Sequence, residues 1–519
     1  MNLENERAPL IPAIPAAAVA SGSRQYGTTY NRNSFLREMT SSSMVNNVAD
    51  ESGRKLRQYI AGLAASGGAL AVGTFLGWTS PANFPLVQKQ EYGFPISMEE
   101  FSWIESITNL GAAVMCLLIG ILMKMIGRKW AMLTMVLPLL LGWLLIIFAK
   151  NVAMLLVGRF FLGMGGGAFC IAVPAYTAEI AQSSIRGMLG TFFQLLVTVG
   201  ILFVYGVGAA VNVQMLSIIC GVIPVAFGLI FLCMPESPHH FIGKGRDVDA
   251  SKSLRWLRGI SYDSRAEIEA LKAENARIRE ENITFVQSFK QRATIRALAI
   301  SLGLMFFQQL SGLYAVIFYT PTIFANANIG SDNTTISIIV GIIQVDATLL
   351  ATFMVDKTGR RILLIISDFF MAISTILLAV YFQLMEKDAT LLKNLEWLPT
   401  LAVCLFITMF SIGYGPIPWL MVGELFANNA KAYVSPLVGV FTWTLAFLIT
   451  KIFPNLPDAL GIAGVFWLFS GLSLVGTVFV FFIVPETKGI ALEDIQRMLS
   501  GEKVQRFSGH SNLAMEDDE

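Results

Sequence analysis

The chain reads as an all-α membrane protein with twelve transmembrane helices in two six-helix bundles, and three observations carry that reading. Of its 519 residues, 55% are hydrophobic and only 14% charged, which is too apolar for a soluble protein. Apolar stretches of about spanning length, twelve in all, follow one another along the chain. Three charged motifs then recur in one order: Gly127-Arg128-Lys129 as Gly359-Arg360-Arg361, Glu179 as Glu424, and Pro235-Glu236-Ser237 as Pro485-Glu486-Thr487. A repeat of this kind means two homologous halves related by an axis along the membrane normal, with a path between them.

Residues 1–58 are rich in Ser, Asn, Ala and Pro and cannot bury a core, so they are expected to form a disordered cytoplasmic tail. Within it Glu6, Leu10 and Ile11 fit the acidic dileucine pattern read by sorting adaptors. The amino-terminal bundle is expected over 59–236, with spans near 59–80, 102–123, 130–149, 152–176, 188–210 and 215–234. Residues 237–294 form one large soluble insertion, in which Ile268, Leu271 and Ile278 recur at helical spacing among charges. Short surface helices in a solvated linker are expected there. The carboxyl-terminal bundle covers 295–486, with spans near 295–325, 335–355, 361–384, 398–422, 434–453 and 461–484, and 487–519 forms a second tail.

Basic residues gather in the loop of Gly127-Arg128-Lys129, in 237–294 and in the loop of Lys357, Arg360 and Arg361. The positive-inside rule places these loops and both termini in the cytoplasm. The segment Phe94–Glu105, with Glu99, Glu100 and Glu105, and the loops around Asp332 and Asp458 are basic-poor and fall on the other side. The sequon Asn333-Thr334-Thr335 lies on that outer side as a candidate glycosylation site, whereas Asn282-Ile283-Thr284 faces the cytoplasm.

Composition also excludes several classes of function. A net charge of +1 with no basic stripe argues against nucleic acid. The five cysteines all fall inside candidate spans at no ligand-like spacing, and the three histidines lie outside the spans. No metal site, hydrolytic triad or cofactor site is therefore expected, and an enzyme is not the reading.

The polar knot Gln308-Gln309-Leu310-Ser311-Gly312 interrupts an apolar stretch, with Tyr314 and Tyr319 beyond it. A carboxamide offers donors and an acceptor without charge, so it can grip hydroxyl groups at membrane depth without the desolvation cost of an ion. Such a site suits a neutral polyol, although polar side chains also serve as glue between membrane helices. Each half places a cation seven residues beyond its repeated acid, Arg186 after Glu179 and Lys431 after Glu424. Carboxylate–cation pairs across neighbouring helices are expected at this boundary.

Together these motifs are specific. Gly158-Arg159-Phe160 with Gly163, Gly165 and Gly167, Pro174, Tyr176, Glu179, Arg186-Gly187, Pro235-Glu236-Ser237-Pro238, the Gln308–Gly312 knot, Gly415-Pro416-Ile417-Pro418-Trp419 and Pro485-Glu486-Thr487-Lys488-Gly489 stand in family order. The chain resembles the sugar porter family of the major facilitator superfamily, over essentially all of 59–500. Within it the chain is most similar to the insect facilitated trehalose transporters, through Thr79-Ser80-Pro81-Ala82, Leu302–Thr320, Ser367-Asp368 and Leu492-Glu493-Asp494-Ile495. The resemblance implies an alternating-access carrier of trehalose, glucose or fructose, acting by uniport.

By the same resemblance, sugar is bound by Gln194, Gln308, Gln309 and Trp419, and a gating charge network comprises Arg128, Arg159, Glu179, Arg186, Glu236, Asp356, Arg360, Arg361, Glu424, Lys431 and Glu486. Pro416 and Pro418 interrupt the tenth span, allowing it to bend. The chain departs from the family at the pocket, where Tyr314, Gln344 and Thr442 stand in place of three asparagines. Lys124 stands where the first basic loop usually has an acid, and Lys431 where an arginine is usual. Asp346, two residues past Gln344, is an ionisable group that the family does not require.

The alternatives are a proton–sugar symporter, disfavoured because the first span carries no acid, and a non-transporting sugar sensor, disfavoured because the carboxyl-terminal tail is short. The plasma membrane is the expected location, with endosomes or lysosomes the other compartment implied by the dileucine pattern. The oligomeric state is left open.

Overall fold

The computed structural model of the chain describes residues 53–281, 291–317, 333–387, 395, 397–426, 428–490 and 492–501. The sorting pattern at Glu6, Leu10 and Ile11 and the sequon at Asn282 lie outside these residues, and the side chains of Asp356, Asn333 and Ile278 also lie outside the description. Among the described residues, eleven helical stretches are long and apolar enough to cross a membrane, and the last, Tyr433–Ile483, runs 51 residues. As one straight rod it would reach about 76 Å, more than twice a hydrocarbon core. It is instead two helices, Asn428–Ile452 and Leu456–Ile483, joined by a short 3-10 turn, which brings the crossings to twelve.

The first six spans are Leu56–Gly77, Met98–Ile126, the pair Arg128–Thr134 and Val136–Ile147, Val152–Ile180, Ser183–Gly208 and Val213–Leu232. The seventh to twelfth are Arg292–Gln309, Asn333–Thr358, Arg360–Lys387, the pair Leu398–Ile412 and Ile417–Leu425, Asn428–Ile452 and Leu456–Ile483. The starts of several spans are written in the sequence. Ser97 and Glu100 cap the second span reciprocally, with Ser97 N–H donating to Glu100 Oε2 at 2.8 Å. The side chains of Asn151 and Asn212 accept from the third helical residue of the fourth and sixth spans at 2.9 and 2.8 Å. The tenth span breaks at Gly413 and restarts at Ile417, where Pro416 and Pro418 remove backbone donors.

Each half has its own apolar core, one built from residues between Ala61 and Leu257 and the other from residues between Ala293 and Leu499. Lipid supplies no hydrophobic drive between helices, so tight packing has to come from backbones that approach closely. A Cβ on Gly163 of the fourth span would lie 1.9 Å from the Thr108 carbonyl oxygen of the second, and one on Gly167 would lie 2.1 Å from that of Ala112. The halves meet along the second and eleventh spans and along the fifth and eighth.

The 237–294 insertion departs from the solvated linker expected of it. Pro238–Gly243, Asp247–Arg258 and Arg265–Glu281 are helices that pack together through Ile242, Ala250, Leu254 and Ile268. Arg258 is buried; it donates to the Ile180 carbonyl at 2.7 Å and pairs with Glu267 at 2.9 Å. Ser253 Oγ donates to the Glu236 carbonyl at 2.6 Å. Arg258 thus fastens the segment to the end of the fourth span, while Arg246, Lys252 and Arg265 stay exposed. The amphipathic helix Leu492–Ser500 is likewise docked, since Ile495 and Leu499 are buried and Arg296 donates to the Leu499 carbonyl at 2.9 Å.

The packing argument has a direct check. Gly163→Val should abolish a monodisperse detergent-solubilised peak, whereas Gly206→Val, where nothing lies within 4 Å of the added carbon, should leave it intact.

Candidate functional site

The repeated charged motifs fold into two matching knots on the face that carries the basic loops. Glu236 accepts from the backbone N–H of Arg128 at 2.9 Å, of Lys129 at 3.0 Å and of Ser237 at 2.8 Å. Glu486 accepts in the same way from Arg360 at 3.0 Å, Arg361 at 3.1 Å and Thr487 at 3.0 Å. Each carboxylate therefore sits on the N-terminus of a helix, where orphan donors and the positive end of the dipole converge. The glycine before each helix is obligatory twice over. Gly127 and Gly359 have φ of 97° and 102°, and a Cβ would fall 2.3 and 2.7 Å from the carboxylates they pack against. Burial pushes the Glu236 carboxyl above the ordinary carboxylate range, against the three backbone N–H groups that pull it back.

The side chains complete the knots. Arg128 pairs with Glu179 at 2.8 Å and Arg360 with Glu424 at 2.9 Å. The second oxygen of Glu179 accepts from Ser237 Oγ, and that of Glu424 from Thr487 Oγ1. The cation seven residues beyond each acid is thus not its ion-pair partner among the described residues, because a span boundary falls between them and the Gly-Arg arginine is nearer. Lys431 donates instead to the Gly423 carbonyl at 3.0 Å, within the field of Glu179 and Arg186 of the other half and of Glu424 of its own. Lys124 is exposed and takes no part, so the first knot closes without an acid there. Arg159 does not belong to this network. It is buried toward the opposite face, donating to the carbonyls of Phe75 at 2.6 Å and Ile104 at 3.2 Å, with its guanidinium over the Trp78 ring.

The two adjacent amides are used differently. Gln308 is buried, and its Nε2 donates to the carbonyls of Tyr414 at 2.6 Å and Gly415 at 3.1 Å, at the break in the tenth span. It is the helix glue of the seventh span. Gln309 is half-buried; its Oε1 accepts from the Tyr314 hydroxyl at 3.0 Å, and its Nε2 makes only a long contact with Gln308 Oε1 at 3.5 Å. Gln194, Gln344 and Trp419 are half-buried, and their side chains take no hydrogen bond among the described residues. Thr442 is buried and its hydroxyl donates back to the Val438 carbonyl of its own helix at 2.8 Å, so it does not join them. Gln344, Ser80, Ser337 and Tyr205 border a cavity of about 40 Å³, room for water but not for a sugar ring.

Three ionisable residues of the spans deserve separate placement. Asp346 lies on the exposed face of the eighth span with Ile342, Leu350 and Phe353, away from Gln344. Asp368 of the ninth span is fully buried, and its oxygens face Tyr414, Ser473 and Thr477 without closing a hydrogen bond of ordinary geometry. Glu105, read in the sequence with an acidic loop, lies seven residues inside the second helix, facing Arg159. Its signal was available, since a glutamate at this depth of an apolar span is rare.

The two amides give a paired expectation. Gln308→Ala leaves two carbonyls at the break without their donor and should lower stability by about 1–3 kcal/mol. Gln309→Ala should leave the melting temperature of the purified protein close to native.

The profile of the "Sugar (and other) transporter" family matches residues 26–499. A facilitated trehalose transporter of Culex quinquefasciatus is 36% identical over 457 residues, covering 88% of both chains. Those of Aedes aegypti and Drosophila simulans are 36% and 37% identical over 88% of this chain, which spans only 56% and 53% of their lengths. Among solved structures, a proton:xylose symporter of the major facilitator superfamily superposes with a TM-score of 0.72 at 21% identity, over 85% of this chain and 99% of its own, and shows the shared fold. With that fold, the two matching knots and a profile match along nearly the whole chain, this protein belongs to the sugar transporter family.

Proposed function

We propose that this chain is a facilitative carrier that moves a neutral sugar, trehalose or a hexose, down its gradient by alternating exposure of a site between its halves. The observation that carries the reading is the division of labour at the seventh span. Gln308 is consumed in holding the broken tenth helix, while Gln309, Gln194, Gln344 and Trp419 are half-buried with hydrogen-bonding capacity to spare. Amides and an indole suit a polyol: the amides exchange hydrogen bonds with hydroxyls, and the ring packs on the C–H face of a pyranose. The trehalose relatives support the same class of substrate.

The two knots act as locks on the conformation that the structure holds. Glu179 and Glu424 bind cations at the boundary of the spans, remote from the amides, so they govern the cycle and not the pocket. The basic loops place the knots and both termini in the cytoplasm, with the plasma membrane as the main location. Glu6, Leu10 and Ile11 offer a sorting adaptor a second, endosomal address. Asn333 heads the eighth-span helix itself, close to the membrane for a glycan.

Uniport is tested by sugar entry into proteoliposomes, which should equilibrate with the gradient and ignore a proton ionophore. Ionophore-sensitive accumulation sinks the reading. Glu424→Ala should slow turnover several-fold while sugar affinity stays within a few-fold of native, and lost affinity in folded protein would move Glu424 into the pocket.

Gln309→Ala should cost about 5- to 150-fold in affinity, the loss of one buried hydrogen bond. Tyr314→Asn frees Gln309 Oε1 and removes a bulky ring, so the ratio of trehalose to glucose uptake should rise. An unchanged ratio refutes the assignment of size selection to Tyr314.

A further inference from the structure

Glu105 has no role in the knots or among the amides, yet its surroundings are those of a ligand site. On the second span, Asn109 donates to Thr450 Oγ1 at 3.2 Å, Ser102 accepts from Lys451 Nζ at 3.0 Å, and Cys116 lies against Gly439, all of the eleventh span. At 100° per residue Glu105 falls within about 60° of this stripe. It is turned toward the fourth span, against which Thr108 and Ala112 pack. The side chain therefore points into the groove between the fourth span of one half and the eleventh span of the other. Tyr205 of the fifth span and Tyr314 beyond the seventh also lie within reach of its charge. Tyr314 is the residue whose hydroxyl donates to Gln309 Oε1.

Among the described residues the Glu105 carboxylate accepts no hydrogen bond and forms no ion pair within 4 Å. The cation facing it, Arg159, uses two of its five N–H donors on backbone carbonyls, lies over the Trp78 ring and makes no ion pair with Glu105 within 4 Å. The other cation of this neighbourhood, Lys451, is held by Ser102 and lies 4.4 Å from the centroid of the Trp103 ring. An acceptor-only group at this depth is costly unless donors reach it. A sugar hydroxyl is such a donor.

We propose that Glu105 is a sugar-binding residue, accepting one or two hydroxyl hydrogen bonds at the end of the path opposite the charged knots and so setting which polyol is taken. This inference rests on the sugar-carrier reading. Hydrogen bonds to a charged acceptor are the stronger kind, and the residue is absent from any requirement imposed by the knots or the amides.

The test is calorimetric binding of trehalose, of D-glucose and of the monodeoxyglucoses to the purified full-length carrier and its variants. Glu105→Ala should weaken binding about 10- to 100-fold and Glu105→Gln less, since the amide retains an acceptor. One monodeoxy analogue should bind the native carrier as weakly as glucose binds Glu105→Ala, and the two losses should not add. Should Glu105→Ala fail to elute as folded protein, the isosteric Glu105→Gln carries the same comparison. Unchanged affinity, or losses that add for every deoxy position, overturns the proposal while leaving the carrier reading in place. Ionophore-sensitive sugar accumulation abolished by Glu105→Gln would make Glu105 a proton site instead, overturning both. Failure of the native carrier to bind either sugar also overturns both.

Discussion

A backbone group freed at a helix break has no water to turn to within a bilayer, and three breaks that shape this chain are each met by a side chain placed for it. Glu236 closes the start of the third span, Glu486 the start of the ninth, and Gln308 the interruption of the tenth. The choice of group follows from what is exposed. Helix N-termini present donors and a positive dipole end and receive carboxylates, whereas the tenth-span break presents carbonyls and receives the donor end of an amide. Because Glu236 and Glu486 follow the sixth and twelfth spans, each also ties the last helix of its half to the third of that half, and the arginines next to them carry the tie on to Glu179 and Glu424.

That constraint explains why two neighbouring glutamines differ. Gln308 and Gln309 are one residue apart and point to different sides of the seventh span. The first faces the interior of its half, where the broken tenth helix leaves carbonyls to satisfy. The second is turned from that break, and its main contact is the Tyr314 hydroxyl. A structural amide and a candidate ligand-binding amide therefore sit side by side, and the structural one holds the break beside which Trp419 stands.

The cohesion within and between the halves is of different kinds. Within the amino-terminal half, helices are locked by glycine-to-carbonyl approaches that admit no other side chain, and in the carboxyl-terminal half Gly303, Gly413 and Gly476 pack against the side chains of Phe479, Ser367 and Asp368. Between halves, the seam of the second and eleventh spans includes single hydrogen bonds such as Asn109 to Thr450 and Lys451 to Ser102, and the tilted Trp103–Phe447 ring pair. A neutral hydrogen bond such as Asn109 to Thr450 contributes about 1 kcal/mol net and one from a charged donor such as Lys451 about 1.5–3 kcal/mol, so a seam of a few such bonds can open and reform while each half moves as a body. This is the mechanical basis on which two rigid bundles and a changeable interface fit a carrier.

The sequence by itself determined the class, the number of crossings and the pairing of the halves, because hydropathy and a repeated motif are one-dimensional signals that a bilayer enforces. It also marked the break in the tenth span, through Pro416 and Pro418. Partner choice was decided only by tertiary structure. The repeated acids called for carboxylate–cation pairs across neighbouring helices without naming the partners, and the fold supplied Arg128 for Glu179 and Arg360 for Glu424; it also took Arg159 out of the network and turned the Thr442 hydroxyl back on its own helix. The docking of 237–294 was hidden for the same reason, since a run of charges reads alike whether it meets water or, as with Arg258, a helix end. Glu105 was visible as a residue but not as a site: its meaning depends on Arg159 and Tyr205, which lie on other spans of its own half, and on Tyr314 of the other half, neighbours that only folding assembles.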